Sequence, residues 1–546
     1  MSVRPVPRWH RCLPVLALAL LGACSVTPAP RDTHITILHT NDHHGRFWRN
    51  AAQAHGLAAR KTLVDRIRAE VRAQGGHTLL LDAGDVNTGV PESDLQDAEP
   101  DFRGMSLLGY DAMAVGNHEF DNPLPVIERQ RRSWSAFPWL SANVYAGGRR
   151  MFEPYRLFRL GPVRVAVLGL TTDDTARMLD AKAFPGLAFE PPVQEAAALV
   201  PALRREADVV VALTHMGHYP GGARGVNAPG DVALARAVPD IDVIVGGHSQ
   251  TVVCMLEQNL RNEAYEPGDR CAPDRQNGAW IVQAGEWGKF VGRADFVHRQ
   301  GRFELLRYTL IPVNLGRPGA AGQGAGPPPI PEDPQALALL APFQARGSAG
   351  LGAPVGRSEG RFDGDRAQVR SRQTSLGALI TAALRDKTGA DVAVVNAGAI
   401  RDSLSPGALS HRDILQVLPF GNRVVVVTLR GHELAAYLQS ISRATPGAGA
   451  YPQLAGVCGL HDAGGIERLR VGGRPVDPDG SYRMAINSFA ARGGDGYPDL
   501  RSHPGYVDTG FVDAQVLGAY ISARGVIAPT AVEACSAAQP VPVAAP

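Results

Sequence analysis

The chain has no excess of charge. Its 546 residues hold 55 Lys plus Arg against 53 Asp plus Glu, a net charge of +2. That balance excludes the global positive field of a nucleic-acid binder, and no basic run is interleaved with aromatics. Aromatic residues are scarce, at 6%. There are only six cysteines, and no two have the C-x-x-C spacing of a zinc knuckle or redox site. Past the N-terminus no apolar run approaches bilayer length. No internal repeat points to a solenoid. An anionic substrate would therefore have to meet local positive charge, as metal ions or a few arginines. The length exceeds what one core supports and implies two or three domains.

What is present begins with a leader over 1–23. Arg4, Arg8 and Arg11 form a basic segment, and Leu13 to Ala23 is a short apolar run. Leu21-Gly22-Ala23-Cys24 resembles the bacterial lipoprotein signal, which makes Cys24 the expected lipid-modified first residue. The alternative is a plain secretory signal with an incidental cysteine. Residues 24–33 read as a tether. Acyl chains on Cys24 would hold the protein at a membrane, in the periplasm or cell envelope. Cys12 leaves with the leader, and Cys254, Cys271, Cys458 and Cys535 remain. An exported chain permits disulfides. Cys254 and Cys271 bracket a polar loop containing Pro267 and are expected to pair, while a Cys458–Cys535 pair is left open.

From 34 to 315, short apolar runs alternate with helical stretches. Ile35–Leu38, Thr78–Leu81, Val163–Leu170, Val209–Leu213 and Val243–Val245 read as buried strands, and Leu57–Ala73 and Val193–Ala207 as helices. This is the rhythm of a layered α/β domain. Gly316–Pro334 is rich in Gly and Pro and reads as a linker, with a helix over Gln335–Arg346 completing the segment 316–353. A second α/β domain is expected over 354–535. Its strands are Val392–Val395 and Val424–Val427, its helix is Leu376–Lys387, and a frayed tail follows over 536–546.

Five loops in the first domain follow apolar runs and carry Asp, His, Asn or Gln beside Gly. They are Asn41-Asp42-His43-His44-Gly45, Asp82-Ala83-Gly84-Asp85, Gly116-Asn117-His118-Glu119-Phe120-Asp121, Thr214-His215-Met216-Gly217-His218 and Gly246-Gly247-His248-Ser249-Gln250. These side chains are hard or borderline donors for divalent metals. One such loop is usually a surface turn. Five in series at strand ends, where α/β folds place their sites, require a common cause.

Asp-x-His, Gly-Asp, Gly-Asn-His-Glu, His and Gly-His-x-Gln, in that order, resemble the calcineurin-like metallophosphoesterases, and more closely the bacterial 5′-nucleotidase/UDP-sugar hydrolase family. The resemblance implies a four-layer αββα catalytic domain followed by an α/β substrate-binding domain. It implies two divalent ions (Zn, Mn, Co or Mg), one held by Asp42, His44, Asp85 and Gln250, the other by Asp85, Asn117, His215 and His248. His118, oriented by Asp121, is the implied catalytic residue at the transition state or leaving group. His43 and His218 have no assigned role and read as substrate contacts or solvated side chains, less readily as spare ligands.

In the second domain the resemblance places Arg366, Arg370 and Arg401 at the phosphates, Phe420 and Phe489 around the base, and Asn396 and Asp495 at the nucleoside. Ala399 stands where the family commonly has glycine. The implied activity is phosphate release from 5′-nucleotides, with cleavage of UDP-sugars at the pyrophosphate as a further substrate class, by an exported monomer whose partners are its substrate and a membrane. The alternatives are a 2′,3′-cyclic nucleotide phosphodiesterase or other two-metal phosphoesterase, a nucleotide-binding lipoprotein without catalysis, and a scaffold that uses metal for stability alone.

Overall fold

The computed structural model describes residues 1–2, 32–50, 53–178, 184–220, 229–315, 328–444, 446–458 and 469–529. The expected lipidation site Cys24, all but the first two residues of the leader, most of the tether, Cys535 and the tail lie outside the described residues.

Two six-stranded sheets form the first half. One runs in the order Arg302–Pro312, Phe290–Arg299, Thr33–Thr40, His77–Asp82, Ala112–Ala114, Trp139–Leu140. The other runs Asp274–Gln276, Ala279–Val282, Val243–Gly246, Val209–His215, Val163–Thr171, Tyr155–Leu160. The central pairings are parallel, for example Ile37 opposite Leu79 and Val211 opposite Val243. Alternation along the strands decides which neighbours each side chain meets. Ile35, Ile37, Leu79 and Leu81 pack with Val165, Val167, Val211 and Val245 between the sheets. Leu38 and Leu80 face outward onto Leu63, Val64 and Ile67 of the helix Leu57–Ala73. Leu168, Val210 and Ile244 face outward onto Ala196, Val200 and Leu203 of the helix Pro192–Glu206. The result is helix, sheet, sheet, helix. It explains why these strands read as unbroken apolar runs: both faces are covered.

The second half is a five-stranded sheet in the order Pro452–Ala455, Val392–Asn396, Ser481–Asn487, Arg423–Arg430, Tyr506–Val512. Helices Ser375–Thr388 and Asp513–Arg524 cover one face. Helix Gly431–Ile441 covers the other.

Of the expected linker, residues 316–327 lie outside the described residues, while its described end is held to the first half. Ile330 packs against the first core, and Asn314 exchanges two hydrogen bonds with its backbone, at 2.7 and 3.0 Å. The following helix, Pro334–Gly350, buries Leu340 and Phe343 in that same core. Cys254 and Cys271 are disulfide-bonded, with Cα atoms 4.8 Å apart. Among the described residues no helix is long and apolar enough to cross a membrane.

Candidate metal centre

All five polar loops sit at the C-terminal ends of the strands Thr33–Thr40, His77–Asp82, Ala112–Ala114, Val209–His215 and Val243–Gly246. Because the two sheets stack, those ends converge. The first two loops are also zipped together by backbone bonds: Asp42 N–H to Gly84 O at 2.9 Å, His44 N–H to Asp85 O at 3.0 Å and Gly45 N–H to Val86 O at 2.9 Å.

The converging atoms are nearly all electron-pair donors. Asp85 Oδ2 lies 2.9 Å from His215 Nε2 and 3.8 Å from His44 Nε2. Asn117 Oδ1 lies 3.1 Å from His215 Nε2 and 2.9 Å from His248 Nδ1. Asp42 Oδ1 lies 3.9 Å from His44 Nε2. His44 Nδ1 is 2.8 Å from Thr88 O and His215 Nδ1 is 2.7 Å from Ala83 O. A carbonyl only accepts, so each Nδ1 carries a hydrogen and each Nε2 faces the cluster, where it offers a lone pair once its own proton is lost. Two donor groups result, His44/Asp85/His118 and Asp85/His215/His248, and they share Asp85. Carboxylate, amide and imidazole groups gathered this closely at strand ends are groups that a cation can hold together. The mix of carboxylate, amide and imidazole donors fits divalent metal ions.

The electrostatics agree with a site built around positive charge. Burial, reinforced by the charge of Asp85, pushes the Asp42 carboxyl up to about 8 despite His215. Burial would raise Asp85 too, but the charges of His215 and His118 outweigh it and hold that carboxyl below the usual range. Burial opposes the His118 imidazolium, yet Asp121 and Asp85 overcome it and raise the ring to about 10. The Asp121 contact is short, Oδ2 to His118 Nδ1 at 2.6 Å.

Backbone conformation marks the same residues. Asp42, His44, Asp85, His248 and Gln250 have φ of 51°, 51°, 59°, 75° and 53°, the left-handed region that side chains other than glycine avoid. Two glycines admit the donors. A Cβ on Gly116 would come within 2.2 Å of Asp85 Oδ1, and one on Gly247 within 3.2 Å of Asp42 Oδ2.

Gln250 is placed differently from the other expected ligands. Its Nε2 is 2.9 Å from His44 Nε2, while its amide oxygen accepts a hydrogen bond from Arg423 Nη1 of the second domain. Arg423 is itself paired with Asp508 at 2.7 Å. His43 and His218 are not solvated, which removes one of the alternatives the sequence left open. Both are buried, His43 against Asp101 at 2.8 Å and His218 against Asp274 at 2.9 Å. Their carboxylate partners lie 58 and 56 residues away in sequence, so no local signal revealed them.

The second-domain residues gather in their own group. Asn396 Nδ2 donates to Asp495 Oδ2 at 2.8 Å. Arg401 lies over the Phe420 ring at 5.6 Å. Burial and then the like charges of Arg366 and Arg401 lower the Arg370 guanidinium. Phe420 and Phe489 are 58% and 37% exposed. This group does not line the cleft of about 490 Å³ at the donor cluster. The second domain contributes Arg423, Arg501, Ser502, His503, Tyr506, Asp508 and Gly510 to that cleft instead. Arg423, Asp508 and Gly510 escaped the sequence reading because they sit in a plain apolar strand and its antiparallel neighbour.

The chain matches the family model for the calcineurin-like phosphoesterase over residues 35–251 and that for the 5′-nucleotidase C-terminal domain over 354–502. It is 53% identical over 498 residues to the protein UshA of Escherichia coli, covering 89% of this chain and 90% of that one. It is 49% identical over 525 residues to a 5′-nucleotidase of Vibrio cholerae, covering 93% and 95%. Among solved structures it is similar to the NAD nucleotidase of Haemophilus influenzae, with TM-score 0.74 at 20% identity over 92% of this chain and 98% of that one, a likeness of fold. With matching models over both halves, nearly full-length relatives and a donor cluster built on the expected loops, this chain belongs to the 5′-nucleotidase family of metallophosphoesterase hydrolases.

Proposed function

We propose that the protein releases phosphate from 5′-nucleotides and cleaves UDP-sugars at the pyrophosphate, with two divalent cations held on either side of a shared Asp85. The observation that carries this reading is the pair of imidazoles, His44 and His215, each locked by a backbone carbonyl so that Nε2 faces the shared carboxylate. Asp42, His44, Asp85 and Gln250 would hold one cation, and Asp85, Asn117, His215 and His248 the other. When bound, the cations would polarise the phosphoryl oxygens and acidify a water.

The rest is the work of the chain's own side chains. His118 Nδ1–H donates to Asp121, which fixes the ring and leaves Nε2 to hold a proton beside the phosphoryl oxygens or the leaving group. Arg366, Arg370 and Arg401 neutralise the substrate's phosphates. Phe420 and Phe489 stack the base, and exposed rings suit that task because every base has a π-face. Asn396 and Asp495, already bonded to each other, hold the ribose side.

The nucleotide group lies outside the cleft at the donors, so turnover requires the domains to rearrange. In the arrangement seen here Gly510 packs so close to His118 that a Cβ there would come within 1.7 Å of Nε2. We also propose export and lipid attachment through Cys24, a reading supported by the leader sequence alone.

The test is phosphate release from AMP and UDP-glucose before and after chelation, with Mn²⁺, Co²⁺ or Zn²⁺ added back. Hydrolysis should vanish with chelator and return with metal. Chelator-insensitive hydrolysis, or none with any of the three metals, would sink the proposal.

A further inference from the structure

A buried arginine lies beneath the donor loops and has no ion pair. Arg60, in the first turn of the helix Leu57–Ala73, is 0% exposed. Among the described residues no carboxylate lies within ion-pairing distance of it, and its Nε has no partner. A solitary buried cation is costly unless its charge is delivered somewhere. Its hydrogen bonds show where.

Arg60 Nη2 lies 3.2 Å from His43 Nδ1. A guanidinium only donates, so Nδ1 accepts and the ring's hydrogen sits on Nε2. That Nε2–H therefore donates to Asp101 Oδ1 at 2.8 Å, and Ser93 Oγ donates to the other oxygen at 2.5 Å. On the other side, Arg60 Nη1 donates to the Tyr110 hydroxyl at 3.2 Å. Thr40 Oγ1 gives its only hydrogen to Asp82 Oδ2 at 2.6 Å. Tyr110 must then donate to Thr40, at 2.7 Å. Asp82 Oδ1 in turn accepts from Gly84 N–H at 3.0 Å.

Two relays thus leave one guanidinium, each with every hydrogen pointing the same way, and each ends on a buried carboxylate. The first pins His43, the residue between Asp42 and His44. The second pins Asp82 and Gly84, the start of the loop that carries Asp85. These are the two loops zipped together by backbone bonds. A third segment closes over the cation: a Cβ on Gly288 would stand 1.5 Å from Arg60 Nη2, while the neighbouring Trp287 N–H donates to Asp42 O at 2.7 Å.

We propose that Arg60 is a positioning residue of the metal centre, sharing its charge through His43 and Tyr110 between the two loops and so setting the spacing of Asp42 and His44 relative to Asp85. Lysine would not reproduce it, because a single ammonium nitrogen replaces the two separated nitrogens of the planar fork that reach the two relays. The inference rests on the metal-site reading above.

Chelator-stripped wild-type protein, Arg60→Met, Arg60→Lys, Tyr110→Phe and Asp101→Asn should be titrated with Co²⁺. The visible absorption of the bound ion reports ligand geometry, and circular dichroism checks folding at the same temperature. Arg60→Met should bind Co²⁺ about 10–100-fold more weakly with an altered band, the range for residues that orient metal ligands. Arg60→Lys should also fall short, and Tyr110→Phe and Asp101→Asn, which each damage one relay, should lose less. A role in stability alone would lower the melting temperature and leave affinity and spectrum untouched. Folded Arg60→Met with wild-type affinity and spectrum overturns the proposal. Should that variant fail to fold, wild-type behaviour in both Tyr110→Phe and Asp101→Asn overturns it. If wild-type protein takes up no Co²⁺, the metal-site reading fails instead, which keeps the two failures apart.

Discussion

The two halves of the molecule prepare for their chemistry in opposite ways. In the first, most donor side chains are buried, His44 and His215 are fixed by backbone carbonyls, and Asp42, His44, Asp85, His248 and Gln250 sit in left-handed backbone. In the second, Phe420 and Phe489 stand exposed, and Arg370 feels the like charges of Arg366 and Arg401. A metal site must hold its ligands to fractions of an ångström before the ion arrives. A base-stacking site needs only two flat faces, and the substrate completes it. The first half should therefore fail abruptly when touched, and the second by degrees.

The largest effect is expected at the shared carboxylate. Asp85→Ala should bring metal-dependent phosphate release to background, and atomic-absorption analysis should find the protein depleted of metal. Normal metal content would break the contrast. Next comes the relation between the halves. Asp94 and Gln515 are in hydrogen-bonded contact across them. An Asp94→Cys/Gln515→Cys disulfide should stop turnover when oxidised and restore it on reduction, provided Cys254–Cys271 survives the reductant by mass spectrometry. Full activity in the oxidised form would mean that no rearrangement is needed.

His118→Ala should lower kcat by about 10²–10⁴-fold with little change in KM, as for a lost proton donor. A change confined to KM would move this residue into the binding class. The smallest effect belongs to the exposed rings. Phe420→Ala should weaken binding by about 1–3 kcal/mol while leaving kcat within a few-fold, read from full saturation curves with AMP. A collapse of kcat would show that the second half is as unforgiving as the first.

Much of this was legible in the sequence, for a physical reason. Strands covered on both faces must be apolar throughout, so Val209–Leu213 and Val243–Val245 announced themselves. A loop at a strand end can be polar without cost, so the donors stood out beside them. The helix Leu57–Ala73 was equally plain from its periodicity. What stayed hidden depends on pairings distant in the chain. The carboxylates behind His43 and His218 come from helix and strand segments that carry no mark of the role. Arg423 meets Gln250 from 173 residues away. The helix Pro334–Gly350, which follows the Gly- and Pro-rich stretch, is sunk into the first core through Leu340 and Phe343, a docking its sequence did not reveal. Any pivot must therefore lie beyond Gly350.

The left-handed backbone at Asp42, His44, Asp85, His248 and Gln250 has a consequence for anyone wishing to harden this protein. At such positions glycine relieves a local penalty of about 1 kcal/mol or more. The same gain is open at left-handed positions away from the site, such as Asp240, Asn277 and Gln300, but at these five it would delete a proposed ligand. There stability and chemistry compete, and a search guided by melting temperature alone would have no reason to spare them.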